Sequence, residues 1–150
     1  SRRRHTRYIS VTGVQTCALP ISVRQQMFYA ALSLNYFDKD PKTFSIQKLL
    51  EELQAKYSYY PYEKETYFYK NFGHLEGYSA MYYTYMWSLS IAKDLFEPFK
   101  KNGLMDKETA NRYKKYILSP GGSKDAKDLV EEFLQRPFRF NAFENWINTN

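Results

Sequence analysis

The chain has 150 residues, of which 43% are hydrophobic and 19% aromatic, and its formal net charge is +6. This length suits one domain and excludes a large multidomain enzyme, unless the chain is a fragment. The single cysteine excludes an intramolecular disulfide framework. Without a run of roughly 18 apolar residues, no membrane-spanning helix is predicted. The positive charge alone would favour a nucleic-acid partner.

That charge is concentrated at the amino end. Residues 1–22 contain no acidic residue, and they include the only cysteine and four arginines, namely Cys17, Arg2, Arg3, Arg4 and Arg7. Residues 11–21 show neither helical nor strand periodicity. They resemble the translation of a common short-read sequencing adapter, and residues 1–7 resemble the neighbouring flow-cell primer. We therefore expect residues 1–22 to be an adapter-derived artefact and no domain. The alternatives are a basic nucleic-acid-binding arm or an unusual targeting peptide.

Without that segment, residues 23–150 have 18 basic and 16 acidic residues, no cysteine, and a single histidine, His74. The net charge of this body is +2, so the nucleic-acid prediction depends on the tail. We expect no nucleic-acid partner and no membrane association. We also expect the natural protein to continue upstream of about Val23, which would make this chain a fragment.

The first half of the body predicts two helices and an aromatic loop. Residues 24–35 predict a helix that ends before the breaker at residues 38–41. Ser45 is predicted to cap a second helix, whose apolar residues recur at helical spacing, namely Ile46, Leu49, Leu50 and Leu53. Residues 57–69 are aromatic and interrupted by Pro61, which indicates a loop or short extended structure.

Residues 78–99 form the longest apolar stretch and predict a buried helix. Pro98 should kink this helix or end it near Phe96. Tyr78, Tyr82 and Tyr85 follow i, i+4, i+7 spacing, so their phenols would share one helix face.

The second half predicts three more helices. Gly103 should end the long helix, and Asp106 should cap the next one. After a turn at residues 119–122, Ser123 should cap a helix whose apolar residues recur at helical spacing, namely Ala126, Leu129, Val130 and Phe133. Asn141 should cap the last helix together with Glu144. The predicted fold class is all-α.

The residues with the most chemical potential lie between positions 71 and 87. Gly73 and Gly77 flank His74, which suggests a mobile loop that leads into the long helix. A row of tyrosine hydroxyls beside a flexible histidine could hold a carbonyl oxygen or an oxyanion. The alternative is that these aromatic residues pack in the core and that His74 is structural. No second histidine or cysteine in residues 23–150 could share a metal ion with His74.

Residues 74–87, His-Leu-Glu-Gly-Tyr-Ser-Ala-Met-Tyr-Tyr-Thr-Tyr-Met-Trp, resemble the tyrosine loop of the thimet oligopeptidase and neurolysin family of zinc metallopeptidases. The similarity continues through residues 94–96, 112–113, 117–126 and 133–138. It implies that residues 23–150 are the C-terminal portion of the catalytic domain of a mostly helical, deep-channelled enzyme. Such an enzyme hydrolyses peptide bonds in short peptides.

The resemblance also implies roles for individual residues. Tyr85 matches the tyrosine whose hydroxyl stabilises the tetrahedral oxyanion opposite zinc, and Tyr78 and Tyr82 match tyrosines that face the substrate. His74 matches a loop histidine that contacts the substrate backbone, although thimet oligopeptidase has one more residue between this histidine and the following Gly-Tyr. Gly77 would make the loop flexible.

In the family, zinc is bound by an HExxH helix and a later glutamate. Residues 23–150 contain no HExxH motif. We therefore expect zinc to be the cofactor of the parent enzyme, with ligands outside this chain, and we expect the chain alone to be inactive. The parent is expected to be a cytoplasmic monomer whose partner is its peptide substrate. The alternative function is a stand-alone helical module without catalysis, whose aromatic surface at residues 57–69 would bind a peptide or stack on a sugar or base.

Overall fold

The computed structural model describes the backbone of residues 2–148 and the side chains of residues 19–148. Over this range it contains helices and no strand, which confirms the expected all-α fold. The α-helices are α1 (Arg2–Phe37), α2 (Ile46–Tyr57), α3 (His74–Tyr78), α4 (Thr84–Asn102), α5 (Lys107–Tyr113), α6 (Ala126–Leu134) and α7 (Asn141–Ile147). The shorter elements are 3₁₀ turns at Phe68–Lys70, Met81–Tyr83 and Gly121–Ser123 and a π-helix at Lys114–Leu118.

The chain divides into two compact units, one extending to Trp87 and the other comprising Ser88–Asn148. In the first unit, α1 packs along α2 and against the 3₁₀ turn at Met81–Tyr83. The core of this unit comprises Phe28, Leu32, Leu49, Leu50 and Leu53. Three of the four apolar residues predicted for the buried face of α2 thus lie in the core, whereas Ile46 is exposed.

The ends of these helices match the sequence only in part. Helix α1 ends at Phe37 as predicted, but it begins at Arg2 rather than near residue 24. Apolar periodicity is not required for a helix to extend, because each added residue needs only one more backbone hydrogen bond. The division of the chain at residue 22 stays a prediction, and the side chains of residues 1–18, including Cys17 and the basic arm, lie outside the described residues.

The boundaries of α2 follow its local sequence. The hydroxyl oxygen of Ser45 accepts a hydrogen bond from the backbone N–H of Lys48, which confirms the predicted cap. Between α2 and α3, residues 58–67 form irregular structure that leads into the 3₁₀ turn at Phe68–Lys70. The predicted aromatic loop is therefore confirmed.

The single buried helix predicted over residues 78–99 is wrong. Helix α3 ends at Tyr78, Ser79 has a φ of 47°, and α4 begins only at Thr84. Helix α4 then continues past Pro98 to Asn102, so the stop predicted near Phe96 is also wrong. The only buried residues of α4 are Ser90 and Asp94. Three large apolar residues of α4, namely Tyr85, Trp87 and Phe96, are exposed, and the others are half-buried.

In the second unit, α6 contributes Leu129, Val130 and Phe133 to the core, whereas Ala126, the fourth residue of the predicted apolar set, is exposed. The ring of Phe133 contacts Phe99 and Tyr113, with centroids 6.3 and 5.5 Å away. This aromatic cluster joins α4, α5 and α6. Helix α7 adds two further buried residues, Ala142 and Phe143.

The starts of the three helices α5, α6 and α7 confirm one predicted capping residue and contradict two. Asp106 caps α5 as predicted, because its carboxylate accepts the backbone N–H of Thr109 at 2.7 Å. Two other predicted caps are wrong, since the residues that precede α6 and α7 are Asp125 and Phe140 rather than Ser123 and Asn141. Neither of these residues makes a side-chain capping bond. Ser123 is the last residue of the 3₁₀ turn at Gly121–Ser123, and Lys124 and Asp125 separate it from the helix it was expected to start.

Candidate active site

The imidazole ring of His74 lies at the centre of an aromatic cluster in the first unit. Ring centroids of Tyr78, Tyr82 and Tyr85 lie 5.0, 4.8 and 5.8 Å from it. Phe72 stacks on the histidine with a centroid separation of 6.0 Å. The structure therefore brings together all four aromatic residues that the sequence singled out. We call His74, Tyr78, Tyr82 and Tyr85 the His74 cluster.

The chain path that forms this cluster differs from the predicted one. Tyr78, Tyr82 and Tyr85 do not share a helix face, because the chain reverses at Ser79 between α3 and the 3₁₀ turn. The buried hydroxyl of Ser33 in α1 donates a hydrogen bond to the Ser79 carbonyl at 2.5 Å. Helix α3, the 3₁₀ turn at Met81–Tyr83 and the first turn of α4 thus place the tyrosines around His74, and α1 anchors the reversal.

Tyr82 is the best-anchored member of the His74 cluster. Its hydroxyl donates a hydrogen bond to the side-chain oxygen of Gln26 at 3.0 Å. Its ring also makes edge contacts with Tyr29, at 5.5 Å, and with Tyr85, at 5.0 Å. Burial, with a smaller contribution from Tyr29, raises the pKa of Tyr82, so this phenol stays protonated in the neutral range. Because its hydroxyl is already paired, Tyr82 holds the cluster together in this structure.

Tyr78 and Tyr85 face solvent. Their exposed fractions are 66% and 54%. Neither hydroxyl is hydrogen-bonded to any other residue within the described part of the chain. Each hydroxyl can therefore donate to an oxygen atom of a bound molecule, while its ring remains packed against His74.

His74 has an unusual polar environment. Its Nδ1 atom is buried and has no hydrogen-bond partner among the residues described. Native proteins pair most buried polar atoms, so an unpaired one at the centre of an exposed aromatic cluster is notable. The predicted contact of His74 with a substrate backbone stays a prediction.

Gly77 lies inside α3, one residue before Tyr78. A Cβ atom built on Gly77 meets no atom within 4 Å, and its φ lies outside the left-handed region. The local geometry therefore does not require glycine at this position. Its predicted role in loop flexibility is not tested by the structure.

The described residues do not fit a zinc site. Across the side chains of residues 19–148, no three of the His, Cys, Asp and Glu residues come close enough to hold a metal ion. The neighbours of His74 are phenol and phenyl rings, which are poor zinc ligands. Over the same stretch, no helix is both long and apolar enough to cross a membrane.

Several residues that support the His74 cluster were not predicted from the sequence. Gln26 and Ser33 are polar residues of α1 that bond to Tyr82 and Ser79 from 56 and 46 positions away. Tyr29 and Phe72 pack on Tyr82. The one available signal was Ser33, a small polar residue within the apolar repeat of α1. No local sequence pattern predicts that Ser33 bonds to Ser79, which is 46 positions away.

Comparisons with known proteins show the family to which the chain belongs. The sequence model of Peptidase family M3 matches residues 11–149. The chain belongs to peptidase family M3. This confirms the resemblance to the thimet oligopeptidase family. The match begins within the segment that resembles adapter sequence.

Family M3 relatives include the mitochondrial intermediate peptidase of Homo sapiens and that of Pongo abelii. Each is 32% identical to this chain over 111 residues, which cover 74% of this chain and 16% of the relative. A thimet-like oligopeptidase of Dictyostelium discoideum is 42% identical over 65 residues, or 43% of this chain and 10% of the relative. The chain thus spans about one sixth of the length of the mitochondrial intermediate peptidases.

Proposed function

We propose that this chain is part of a zinc-dependent metallopeptidase that hydrolyses peptide bonds in short peptides, and that the His74 cluster contacts the peptide. The supporting observation is that His74, Tyr78 and Tyr85 form one packed group whose two free hydroxyls face solvent. Membership of family M3 supports the reaction class.

We infer that Tyr85 donates a hydrogen bond to the oxyanion that forms when the peptide carbonyl is attacked. A phenol suits this role, because it is a neutral donor on a stiff side chain. Packing of the Tyr85 ring against Tyr82 and His74 fixes the ring before the charge develops. Donors that are positioned in advance stabilise a transition state without a reorganisation cost. Tyr78, the more exposed tyrosine, would bind the peptide at a flanking position.

Tyr82 is proposed to act mainly as a positioning residue. Its ring lies between His74, Tyr85 and Tyr29, and its hydroxyl is held by Gln26. A direct contact between Tyr82 and the substrate would require the bond to Gln26 to break or to be shared. The predicted contact of Tyr82 with the substrate is proposed as a second role of this side chain.

The zinc ion is proposed to be bound by a part of the parent protein that this chain does not include. This is supported by the poor fit of the described side chains to a metal and by the small share of the relatives that the chain spans. When bound, zinc would supply the activated water for hydrolysis. The expected cytoplasmic location and monomeric state of the parent stay predictions.

The test is a Tyr85→Phe substitution in the full-length parent enzyme, assayed with a quenched fluorescent peptide. Loss of one oxyanion donor should lower kcat by about 100-fold and leave KM nearly unchanged. The matched control is Tyr83→Phe, because Tyr83 is similarly exposed but contacts none of the cluster rings.

Equal kcat values for the two variants would contradict the role of Tyr85. A fall in kcat/KM that arises only from a rise in KM, with kcat unchanged, would instead assign Tyr85 to substrate binding. A parent enzyme with no metal-dependent peptidase activity would contradict the proposed function itself.

A further inference from the structure

The second unit contains a cavity of about 390 Å³ between the carboxyl-terminal parts of α4 and α6. Lys101, Arg112 and Arg136 contribute to its wall, and Glu97 is its only acidic lining residue. The cavity lies within residues 97–136 and shares no residue with the His74 cluster. Its volume falls in the range of small-molecule sites.

The charges at this cavity do not cancel. Glu97 is paired with Lys100 at 2.8 Å, and Arg136 is paired with the buried Asp94 at 2.6 Å. Lys101 and Arg112 have no carboxylate within ion-pair distance in the part of the chain whose side chains are described. Two cationic groups therefore face the cavity without a protein counter-charge.

Arg112 is held in place for binding. One of its terminal nitrogens donates to the Phe133 carbonyl at 2.6 Å, and its guanidinium carbon lies 5.6 Å from the Phe133 ring centroid. Phe133 is fully buried, so it provides a rigid support. A guanidinium has five N–H donors, which leaves Arg112 with donors for a ligand.

The carboxyl ends of α4 and α6 lie at the cavity and repel an anion, but their partial negative charge is smaller than the positive charge of the lining side chains. The carboxyl end of a helix is equivalent to about half a negative charge. Two such ends together offset about one positive charge, whereas Lys101 and Arg112 provide two full charges. The Phe133 carbonyl is also already bonded to Arg112. The net field in the cavity therefore favours an anion.

Two side-chain amides complete the rim. The Asn102 amide nitrogen donates to the hydroxyl of the buried Thr109 at 2.9 Å, and that of Gln135 donates to the Glu132 carbonyl at 2.7 Å. Both amides are thus held at the cavity, where each keeps one further N–H group for an acceptor. A ligand with several acceptor oxygens would satisfy these donors together with the two cations.

We propose that this cavity binds a phosphate dianion, either free inorganic phosphate or the terminal group of a phosphorylated small molecule. Phosphate is attracted by the net positive charge of the cavity, and its oxygens can accept hydrogen bonds from several directions at once. Because the cavity is open to water, binding is expected in the millimolar range. The site is independent of the proposed peptidase reaction.

The test is calorimetric titration of inorganic phosphate into the 150-residue chain, with chloride used to keep the ionic strength constant. Saturable binding is expected, and Lys101→Gln should weaken it by about tenfold. The matched control is Lys107→Gln, which removes the same charge from an exposed lysine outside the cavity. In nuclear magnetic resonance spectra, phosphate should shift the side-chain amide signals of Asn102 and Gln135.

Titration with glycerol 3-phosphate distinguishes the two sources of the group. Tighter binding than that of inorganic phosphate would favour a phosphorylated small molecule, and equal binding would favour free phosphate. The proposal is overturned if phosphate does not saturate the chain, if both lysine variants bind it equally, or if succinate competes as well as phosphate does.

Discussion

Asp94 shows how one side chain can organise part of this protein. Its carboxylate is 1% exposed and accepts two hydrogen bonds from the Arg136 guanidinium, at 2.6 and 2.9 Å. It also accepts the backbone N–H of Arg139 at 2.8 Å. Burial alone would raise the pKa of Asp94, but these bonds outweigh it and hold the pKa below its ordinary value of 3.8. A single carboxylate thereby ties α4 to the segment between α6 and α7.

We expect Asp94→Asn to lower the free energy of unfolding by about 3 kcal/mol, because the substitution leaves Arg136 without its counter-charge. Glu97→Gln is the matched control, since it breaks an exposed ion pair on the same helix, which contributes about 0.5 kcal/mol. Urea unfolding of the three proteins measures both effects. A loss for Asp94→Asn no larger than that for Glu97→Gln would contradict the structural role of Asp94.

The effect of Asp94 should also depend on pH. The pKa of Asp94 is lower in the folded state than in the unfolded state, whose ordinary value is 3.8. The contribution of Asp94 to the free energy of unfolding is therefore complete above pH 3.8, and it is lost as the pH falls through the pKa of the folded state. The difference in unfolding free energy between wild type and Asp94→Asn should therefore be largest near neutral pH and shrink below 3.8. A difference that grows in acid would show that the carboxylate is not ionised in the folded protein.

At the scale of secondary-structure elements, the reversal at Ser79 decides how the His74 cluster forms. Ser79 has φ 47° and ψ −119°, a conformation that glycine adopts far more readily than residues with a Cβ. The hydroxyl of Ser33 holds the Ser79 carbonyl from α1. The strained residue therefore persists because tertiary contacts fix it, and it separates Tyr78 from the elements that hold Tyr82 and Tyr85.

Replacing Ser79 with glycine should raise the free energy of unfolding by about 1 kcal/mol, because it removes the steric cost of the positive φ. The neighbouring Ala80→Gly is the control, since Ala80 has an ordinary φ of −79°. That change should destabilise the chain by about 0.5–1 kcal/mol through the extra freedom of the unfolded state. Thermal melts of the two variants should shift in opposite directions, and a shared direction would rule out strain at Ser79.

At the scale of the whole molecule, the chain is two compact helical units that span about one sixth of the length of its relatives. The His74 cluster lies in the first unit, and the cationic cavity lies in the second. Among the described residues, neither place has three His, Cys, Asp or Glu side chains close enough to hold a metal ion. We therefore expect the zinc ligands of the proposed enzyme to come from elsewhere in the parent protein.

The isolated 150-residue chain, supplied with zinc and a quenched fluorescent peptide, is expected to show no metal-dependent turnover. The reason is that no group of three metal-binding side chains comes together across residues 19–148. Fluorescence should stay at the level of the peptide alone, whereas the full-length parent serves as the positive control. Turnover that is abolished by a chelator would contradict the prediction.

Much of the local structure follows from the sequence. The buried face of α2, the Ser45 and Asp106 caps and the stop at Gly103 depend on residues within one or two turns, and they were predictable for that reason. Residues 78–99 were not predictable, because a continuous apolar run does not reveal a reversal at Ser79. The buried Asp94 was equally hidden, since its partner is 42 positions away.

The sequence alone determined the all-α fold class, the membership of family M3 and the residues of the His74 cluster. Each of these depends on residue types and on their spacing along a short stretch of the chain. Only the tertiary structure decided how these residues meet. Tyr78, Tyr82 and Tyr85 surround His74 through a chain reversal rather than a shared helix face. Gln26 and Ser33 support them through contacts that only folding creates. The physical reason is that helices form from local backbone hydrogen bonds, whereas a site requires side chains that are distant in the sequence to be packed together.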